Sequence, residues 1–571
     1  MKKLLLGDFA VARGAYEGGV RVATAYPGTP STEITEELSR YDDVYSEWAP
    51  NEKVALEVGF GASLAGARTI VSMKHVGLNV ASDPLYTAAY TGVNAGLVVA
   101  VADDPSMFSS QNEQDTRLIA RAANVPVIEP SDSAESKDFA KLAFEISEKY
   151  DTPVILRMTT RVAHSQGLVE IGEREELPLK PYERNIPKYV MMPANAKKRH
   201  IVVEERLNKL CEDSNEFAIN RIESGSKDLG IICAGGVYQY VKEALPDASV
   251  LKLGMVYPLP YKLIEKFVKS VKRCIVVEEL EPHIETLIKS KGIFVEGKNL
   301  FSIQGELSVN IIKEKILGEK SECAVADIPA RPPVLCAGCP HRGVFYTLKK
   351  LKLNVMGDIG CYTLGAVPPL GSIDSVLCMG ASIGMAIGFD KADPEFHKKT
   401  VAVIGDSTFI HSGITGLVDA VYNKANATVI IVDNSTTGMT GHQNHPATGK
   451  TIKNIETYKL NLEEVCKAVG VKTLTVVDPY ELDKFEQAVK NATSSDGVNV
   501  IIARRPCVLL TKRLYNGFVI NDNCKNCKSC LKLGCPAIVN GKNGMTIDAS
   551  LCTECGLCAS VCKFGAIAPK A

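Results

Sequence analysis

No run of about 18 consecutive apolar residues occurs in the 571-residue chain, so no transmembrane helix of ordinary length is expected. Excess charge of either sign is lacking too. The 65 basic and 66 acidic side chains leave a net charge of −1, which gives no electrostatic ground for nucleic acid or an acidic membrane surface as partner. The start of the chain lacks an apolar region of signal-peptide length: Met1-Lys2-Lys3 is followed by three leucines and then Gly7-Asp8. A cytoplasmic protein is the expectation. Fixed-period repeats and low-complexity tracts are also missing, which argues against solenoid or disordered architectures. Cysteine is not scarce. Of the 18 present, eight crowd into the last 50 residues or so. In an intracellular chain, that density reads as metal or cluster ligation rather than as disulfides.

The length calls for several domains, and 46% apolar with 23% charged residues is ordinary for globular protein. Residues 1–195 alternate strand candidates at 20–26, 69–73, 96–102 and 153–158 with helical patterns such as 51–67. That alternation predicts a parallel sheet covered on both faces. A polar stretch at 184–226 reads as a bridge into a smaller α/β unit, 196–328. Its strands are expected at 229–234, 249–253 and 274–278, with the turn Tyr257-Pro258-Leu259-Pro260 between the last two. The proline-rich Pro329-Ala330-Arg331-Pro332-Pro333 marks the next boundary. A third α/β unit, 329–514, has strands at 401–404, 428–432 and 498–503. The remainder, 515–571, is short and cysteine-dense and reads as a module held together by its ligands. The fold class expected is α/β: several doubly wound parallel-sheet domains plus a C-terminal two-cluster module.

Cys524, Cys527 and Cys530 are spaced C-x2-C-x2-C ahead of Cys535-Pro536, and Cys552, Cys555 and Cys558 repeat the spacing ahead of Cys562. Three thiolates on a tight loop bind three corners of a cubane, and the remote cysteine of the other motif supplies the fourth, as in two-cluster ferredoxins. The expected sets are therefore Cys524, Cys527, Cys530 and Cys562 for one [4Fe-4S] cluster and Cys552, Cys555, Cys558 and Cys535 for the other. The first motif has four residues before its last cysteine where three is usual, and Lys563 stands where proline is usual. A structural zinc module is the competing reading, but it would need two ligand sets of this spacing without histidine.

Gly405-Asp406-Ser407 follows one apolar strand and Asp433-Asn434 closes the next. The carboxyl ends of neighbouring parallel strands are where such sheets bind ligands. Asp406, Asn434 and the carbonyl of Thr436 would supply the few oxygen ligands that Mg2+ needs when it bridges a diphosphate. The pattern resembles the thiamine-diphosphate signature, which opens G-D-G and ends in an asparagine pair. Here Ser407 replaces the second glycine and Asp433 the first asparagine. An ordinary strand–turn–helix with a capping aspartate would look similar. Thiamine chemistry also needs a carboxylate against N1′ of the aminopyrimidine. Asn51-Glu52 opens a helix nine positions before Gly61, a pattern similar to the pyrimidine-binding domains of thiamine enzymes, and Glu52 is preferred over the mid-helix Glu57. Read alone, Glu52 would only complement the positive end of a helix.

Three further stretches narrow the resemblance. Tyr26-Pro27-Gly28-Thr29-Pro30-Ser31 looks like the Y-P-x-T-P-S turn of pyruvate and related ferredoxin oxidoreductases, whose threonine helps hold the substrate. That implies Thr29 here. Thr440-Gly441-His442-Gln443 resembles their T-G-G-Q segment, with His442 replacing a glycine. The implied domain order is pyrimidine-binding (1–195), transketolase-C-like (196–328), diphosphate-binding (329–514) and ferredoxin-like (515–571). Within that superfamily the chain is similar along nearly its whole length to the alpha subunits of indolepyruvate ferredoxin oxidoreductases. The matching segments are Lys74-His75-Val76-Gly77-Leu78-Asn79, Thr159-Thr160-Arg161-Val162-Ala163-His164, Cys336-Ala337-Gly338-Cys339-Pro340-His341-Arg342 and Gly357-Asp358-Ile359-Gly360-Cys361-Tyr362.

The resemblance implies oxidative decarboxylation of arylpyruvates from aromatic amino-acid catabolism, namely indolepyruvate, phenylpyruvate and hydroxyphenylpyruvate. Coenzyme A would take the acyl group, and ferredoxin the electrons. A smaller beta subunit is the implied partner, in an alpha2beta2 assembly. Cys336, Cys339 and Cys361 match three positions of a third, proximal cluster in related enzymes, with Cys378, Cys466 and Cys507 all open as the fourth. His75, Arg161, His411 and His442 are candidates for the substrate pocket. Each competes with an ordinary structural role, a surface ion pair in the case of Arg161.

Overall fold

Leu97–Asp103 reads Leu-Val-Val-Ala-Val-Ala-Asp and is buried along its whole length. That is the mark of an inner strand with both faces covered. The computed structural model describes residues 1–320, 328–329, 331–511, 517–541 and 544–570, in two units, Met1–Ala326 and Asp327–Ala571.

In the first unit, seven strands lie in the order Met255–Tyr257, Val127–Ile128, Val154–Thr159, Leu97–Asp103, Thr69–Lys74, Val22–Ala25 and Tyr45–Trp48. All neighbours are parallel except the first pair. Side chains alternate between faces. Ile70, Val98 and Ala100 join one apolar core, and Val71, Leu97, Val99 and Val101 the other.

A second sheet runs Arg273–Val277, Ser226–Ala234, Ala248–Leu253 and Arg221–Glu223, the last antiparallel. The strand that follows, Met255–Tyr257, leaves this sheet and pairs antiparallel with Val127–Ile128 of the first. The expected turn at Tyr257-Pro258-Leu259-Pro260 thus begins at the end of an edge strand of the first sheet.

The segment expected to be a polar bridge is different as well. It contains the helix Pro193–Asp213, which buries Val203, Arg206 and Leu210 on one face. Arg206 donates to the carbonyls of Asp151 (2.6 Å) and Ala89, and Leu210 joins the core under the first sheet. A one-sided stripe at i, i+3 and i+7 suffices to dock a helix that is charged elsewhere.

In the second unit, five parallel strands run in the order Asn354–Met356, Thr400–Gly405, Ala427–Asp433, Val498–Arg504 and Thr473–Val477. Apolar cores cover both faces. The C-terminal segment has two antiparallel pairs, Phe518–Ile520 with Ile567–Pro569 and Ile538–Gly541 with Gly544–Ile547. Its small core mixes Leu533, Met545 and Leu557 with the cysteines. Among the described residues no helix is long and apolar enough to cross a membrane.

Candidate active site and cluster centres

The metal motif forms where two strands end side by side. Gly405 pairs with Val432, so Asp406 and Asp433-Asn434 emerge together. Asp406 is buried, 2% exposed; its Oδ1 accepts from Ser407 N (2.9 Å) and its Oδ2 from Ser435 N (2.9 Å). The second bond ties the aspartate to the Asn434–Thr436 loop. Asn434 is also buried, and its Oδ1 accepts from Thr436 N at 3.3 Å. Thr436 Oγ1 is buried with no hydrogen-bond partner. The Asp406 carboxylate, the Asn434 amide and the Thr436 carbonyl, on adjoining strand ends, are hard-oxygen donors of the kind Mg2+ takes. Ser407 Oγ accepts from Thr437 Oγ1 at 3.0 Å, so the serine in the glycine's place braces the same loop.

Burial raises Asp406, but the charge of His445, 3.4 Å from its Oδ2, prevails and holds it below the ordinary value. Asp433 moves the other way, raised first by burial and then by Asp406, while Arg504 donates to its Oδ2 at 2.6 Å. His445 was not among the candidates from sequence; the second histidine of Thr440-Gly441-His442-Gln443-Asn444-His445 was the available signal. The candidates His411 and His442 lie in the same unit. His411 is buried with Nδ1 2.6 Å from Ser412 Oγ, and His442 is half-buried at φ 69° with Nδ1 unpartnered. Asp358 of the Gly357–Tyr362 segment accepts from Gly380 N (2.9 Å) and Ser382 N (3.1 Å), fixing the start of the helix Ala381–Ala392. Gly380 is at φ 87° with Ser412 against it, where a side chain would collide.

In the first unit, Glu52 is the first residue of the helix Glu52–Leu64, behind the cap made by Asn51 Oδ1 with Val54 N at 2.9 Å. It is 5% exposed and faces Gly77, where a Cβ would lie 2.6 Å from Oε1. His75 opens the helix His75–Val80, fully buried, its Nε2 3.4 Å from the Asn112 carbonyl and its Nδ1 unpartnered. Burial, and then the charge of Lys74, lower its pKa against the pull of Asp103. Thr29 is half-buried at the turn before the helix Thr32–Leu38, and its carbonyl accepts from Ser109 Oγ at 3.4 Å. Arg161 does not join this group. Its side chain is 59% exposed and held in a bidentate pair with Glu306 (2.8–3.0 Å), the surface role considered above.

The eight C-terminal cysteines surround two cavities. One is lined by Cys524, Cys527, Cys530 and Cys562; the other by Cys535, Cys552, Cys555 and Cys558. Each remote cysteine therefore lies with the other motif's triplet. Burial, and then the thiolates of Cys555, Cys535 and Cys552, push Cys558 up to about 12. Four thiols gathered in an apolar cavity repel one another when ionised, and iron is the cation that removes that cost.

A third group lies beside the metal motif. Burial, and then Cys336 and Cys507, push Cys361 up to about 11; Cys507 is raised by burial, Cys336 and Asp406. Cys507 N donates to the Asn434 carbonyl at 2.8 Å. Gly438 separates Cys361 from Asn434: a Cβ there would be 3.5 Å from Cys361 Sγ and 3.8 Å from Asn434 Nδ2. Cys466 is in the apolar core, and Cys378 is not among the thiols that raise Cys361 or Cys507.

Residues 358–503 match the C-terminal TPP-binding domain of thiamine pyrophosphate enzymes. Residues 13–215 match the thiamine-diphosphate-binding domain of pyruvate flavodoxin/ferredoxin oxidoreductases, and residues 545–568 match a 4Fe-4S binding domain. Three relatives are each named indolepyruvate oxidoreductase subunit IorA. That of Archaeoglobus fulgidus is 42% identical over 612 residues, covering 100% of this chain and 97% of its own. That of Pyrococcus abyssi is 43% identical over 99% of this chain and 96% of its own. That of Methanothermobacter thermautotrophicus is 41% identical over 100% and 97%. The chain belongs to the IorA family of indolepyruvate oxidoreductase subunits and is a thiamine-pyrophosphate-dependent oxidoreductase that carries a 4Fe-4S domain of its own.

Proposed function

We propose that this chain is the catalytic subunit of a cytoplasmic enzyme that oxidatively decarboxylates indolepyruvate, and also phenylpyruvate and hydroxyphenylpyruvate. Coenzyme A takes the acyl group and ferredoxin the electrons. A smaller subunit completes an alpha2beta2 assembly. The observation that carries the reading is the pairing of Asp406 with the Asn434–Thr436 loop at the ends of adjacent parallel strands. The pyrimidine-binding domain, expected to end at 195, is extended through the helix Pro193–Asp213 that packs on its sheet; a transketolase-C-like domain follows to 328, then the diphosphate-binding domain, 329–514, and the ferredoxin-like module, 515–571.

Thiamine diphosphate, when bound, supplies the electron sink for loss of carbon dioxide. Asp406, Asn434 and the Thr436 carbonyl hold its Mg2+ and diphosphate, with Gly405 and Ser407 shaping the loop. Glu52 holds the proton at N1′ of its pyrimidine. Thr29 orients the substrate with His75 of the same unit, and His411 and His442 are the second unit's groups for contact with it. Arg161 is left out, because its guanidinium is committed to Glu306.

Three [4Fe-4S] clusters would carry the electrons singly. Cys336, Cys339, Cys361 and Cys507 hold the proximal one, supported by the mutual influence of their thiolates beside Asp406. Cys552, Cys555, Cys558 and Cys535 follow, in a cavity that Gly338 of the proximal loop also lines. Cys524, Cys527, Cys530 and Cys562 form the exit, where Cys527 is exposed and Lys525 and Lys528 face solvent for an acidic carrier. The test is an anaerobic assay of the assembled enzyme following viologen reduction. Coenzyme-A-dependent reduction with the three arylpyruvates, well above that with pyruvate, is expected. Equal rates with pyruvate would overturn the aryl assignment.

A further inference from the structure

We propose that Lys74 is the cation that receives the carboxylate of the 2-oxoacid substrate. The proposal rests on the reading of the chain as a 2-oxoacid oxidoreductase. It answers a question that reading leaves open, because Arg161 is spent on Glu306 at the surface.

Lys74 ends the inner strand Thr69–Lys74 and is 7% exposed. It therefore stands at the carboxyl edge of a parallel sheet, where ligands bind in such folds. Its surroundings join the two elements assigned to substrate and cofactor. On one side, its Cβ is 3.1 Å from where a side chain at Gly28 would begin, within the Tyr26–Pro30 turn that carries Thr29. Three residues further on, Gly77 lies against Glu52. The loop after Asp103 closes over it: Nζ donates to Ser109 O (2.8 Å) and Ser109 Oγ (3.3 Å), and that hydroxyl reaches the Thr29 carbonyl.

Two acceptors for three ammonium donors leave one N–H unused. Among the described residues no carboxylate forms an ion pair with Lys74. Three other buried cations of this unit are neutralised, Arg117 by Asp115 and Glu278, Arg157 by Asp103 and Glu129, and Lys252 by Glu135, whereas Arg206 is met by the backbone carbonyls of Asp151 and Ala89. A buried ammonium without a counter-ion is costly by itself and is the partner an incoming carboxylate lacks. Beside it, the buried His75 Nδ1 has no hydrogen-bond partner.

Burial lowers the Lys74 pKa to about 8 against the attraction of Asp104. The other titratable groups of the elements around it are His75 on the helix it precedes, Asp103 on the neighbouring strand, Glu113 in the covering loop and Tyr26 at the turn. Binding of an anion requires the protonated amine, so kcat/KM for the oxoacid should fall as pH rises through about 8.

The experiment uses the assembled enzyme with its clusters and cofactor, comparing wild type, Lys74→Met and Lys74→Arg. Lys74→Met is expected to lose about 100-fold or more in kcat/KM, chiefly through KM, with thiamine-diphosphate content and cluster spectrum unchanged. Lys74→Arg should recover most of that loss and move the alkaline limb upward. A Lys74→Met enzyme within threefold of wild type overturns the assignment. So does an arginine variant no better than the methionine one with the alkaline limb unmoved. If Lys74→Met does not fold, the pH profiles of wild type and Lys74→Arg decide alone. Wild type inert to every 2-oxoacid would overturn the functional reading itself, whereas an active wild type with insensitive variants sinks only the lysine.

Discussion

Gly77→Ala tests the geometry at Glu52 without touching an ionisable group. Gly77 sits inside the helix His75–Val80, where alanine is favoured over glycine by roughly 0.5–1 kcal/mol, so the backbone gives no reason for glycine. The side chain opposite gives one. A Cβ at this position would lie 2.6, 2.7 and 2.9 Å from Oε1, Cγ and Cδ of Glu52, and the carboxylate has to move by about 1 Å to restore van der Waals contact. A charge-assisted hydrogen bond contributes about 1.5–3 kcal/mol. At 1.36 kcal/mol per decade, losing it slows the cofactor's activation roughly 10- to 150-fold. The assay is exchange of the C2 proton of bound thiamine diphosphate into deuterated water, beside steady-state viologen reduction and a thermal melt. Both rates should fall together while the melt moves little. Wild-type exchange and turnover in a folded Gly77→Ala enzyme would refute the reasoning that Glu52 acts from this position.

Cys535→Ala should strip the cluster held with Cys552, Cys555 and Cys558, lowering iron by about four atoms per chain in anaerobic metal analysis. Cys507→Ala should remove a different set of about four, whereas Cys466→Ala, in the apolar core, should remove none; equal iron in the Cys507 and Cys466 variants would dismiss the proximal cluster. Burial raises Glu279 to about 7 from 4.5, so the folded chain keeps a proton that the unfolded chain releases. Stability should therefore fall as pH rises between those values, by up to about 3 kcal/mol. Glu279→Gln, which still accepts from Leu307 N, should melt higher than wild type at pH 8 and nearly together with it below 4.5. Lys525→Glu with Lys528→Glu should slow electron transfer to an acidic carrier most at low salt, leaving viologen reduction intact; a change independent of salt would point away from charge steering.

Much of this architecture was legible because its signals are local. The apolar runs at 401–404 and 428–432 became the strands Thr400–Gly405 and Ala427–Asp433, and the polar residues just past them could be read as strand-end groups. Cysteine spacing is local in the same sense. What escaped depends on which distant segments meet. Nothing near Cys507 says that its amide will bond the Asn434 carbonyl, and nothing near His445 says that it will face Asp406. Arg161 has the look of a substrate anchor in sequence, yet Glu306 claims it from more than a hundred residues away. The helix Pro193–Asp213 was masked by its charge, because three buried positions in 21 residues barely disturb the composition.

The short strand Met255–Tyr257 has a consequence for engineering. It covers the outer border of the seven-stranded sheet, whose neighbour Val127–Ile128 would otherwise present bare amides and carbonyls. Cutting the polypeptide near residue 196 to obtain the front portion by itself would peel that cover away. The product would expose a sticky rim inviting self-association, so fragments meant for study should extend beyond Tyr257.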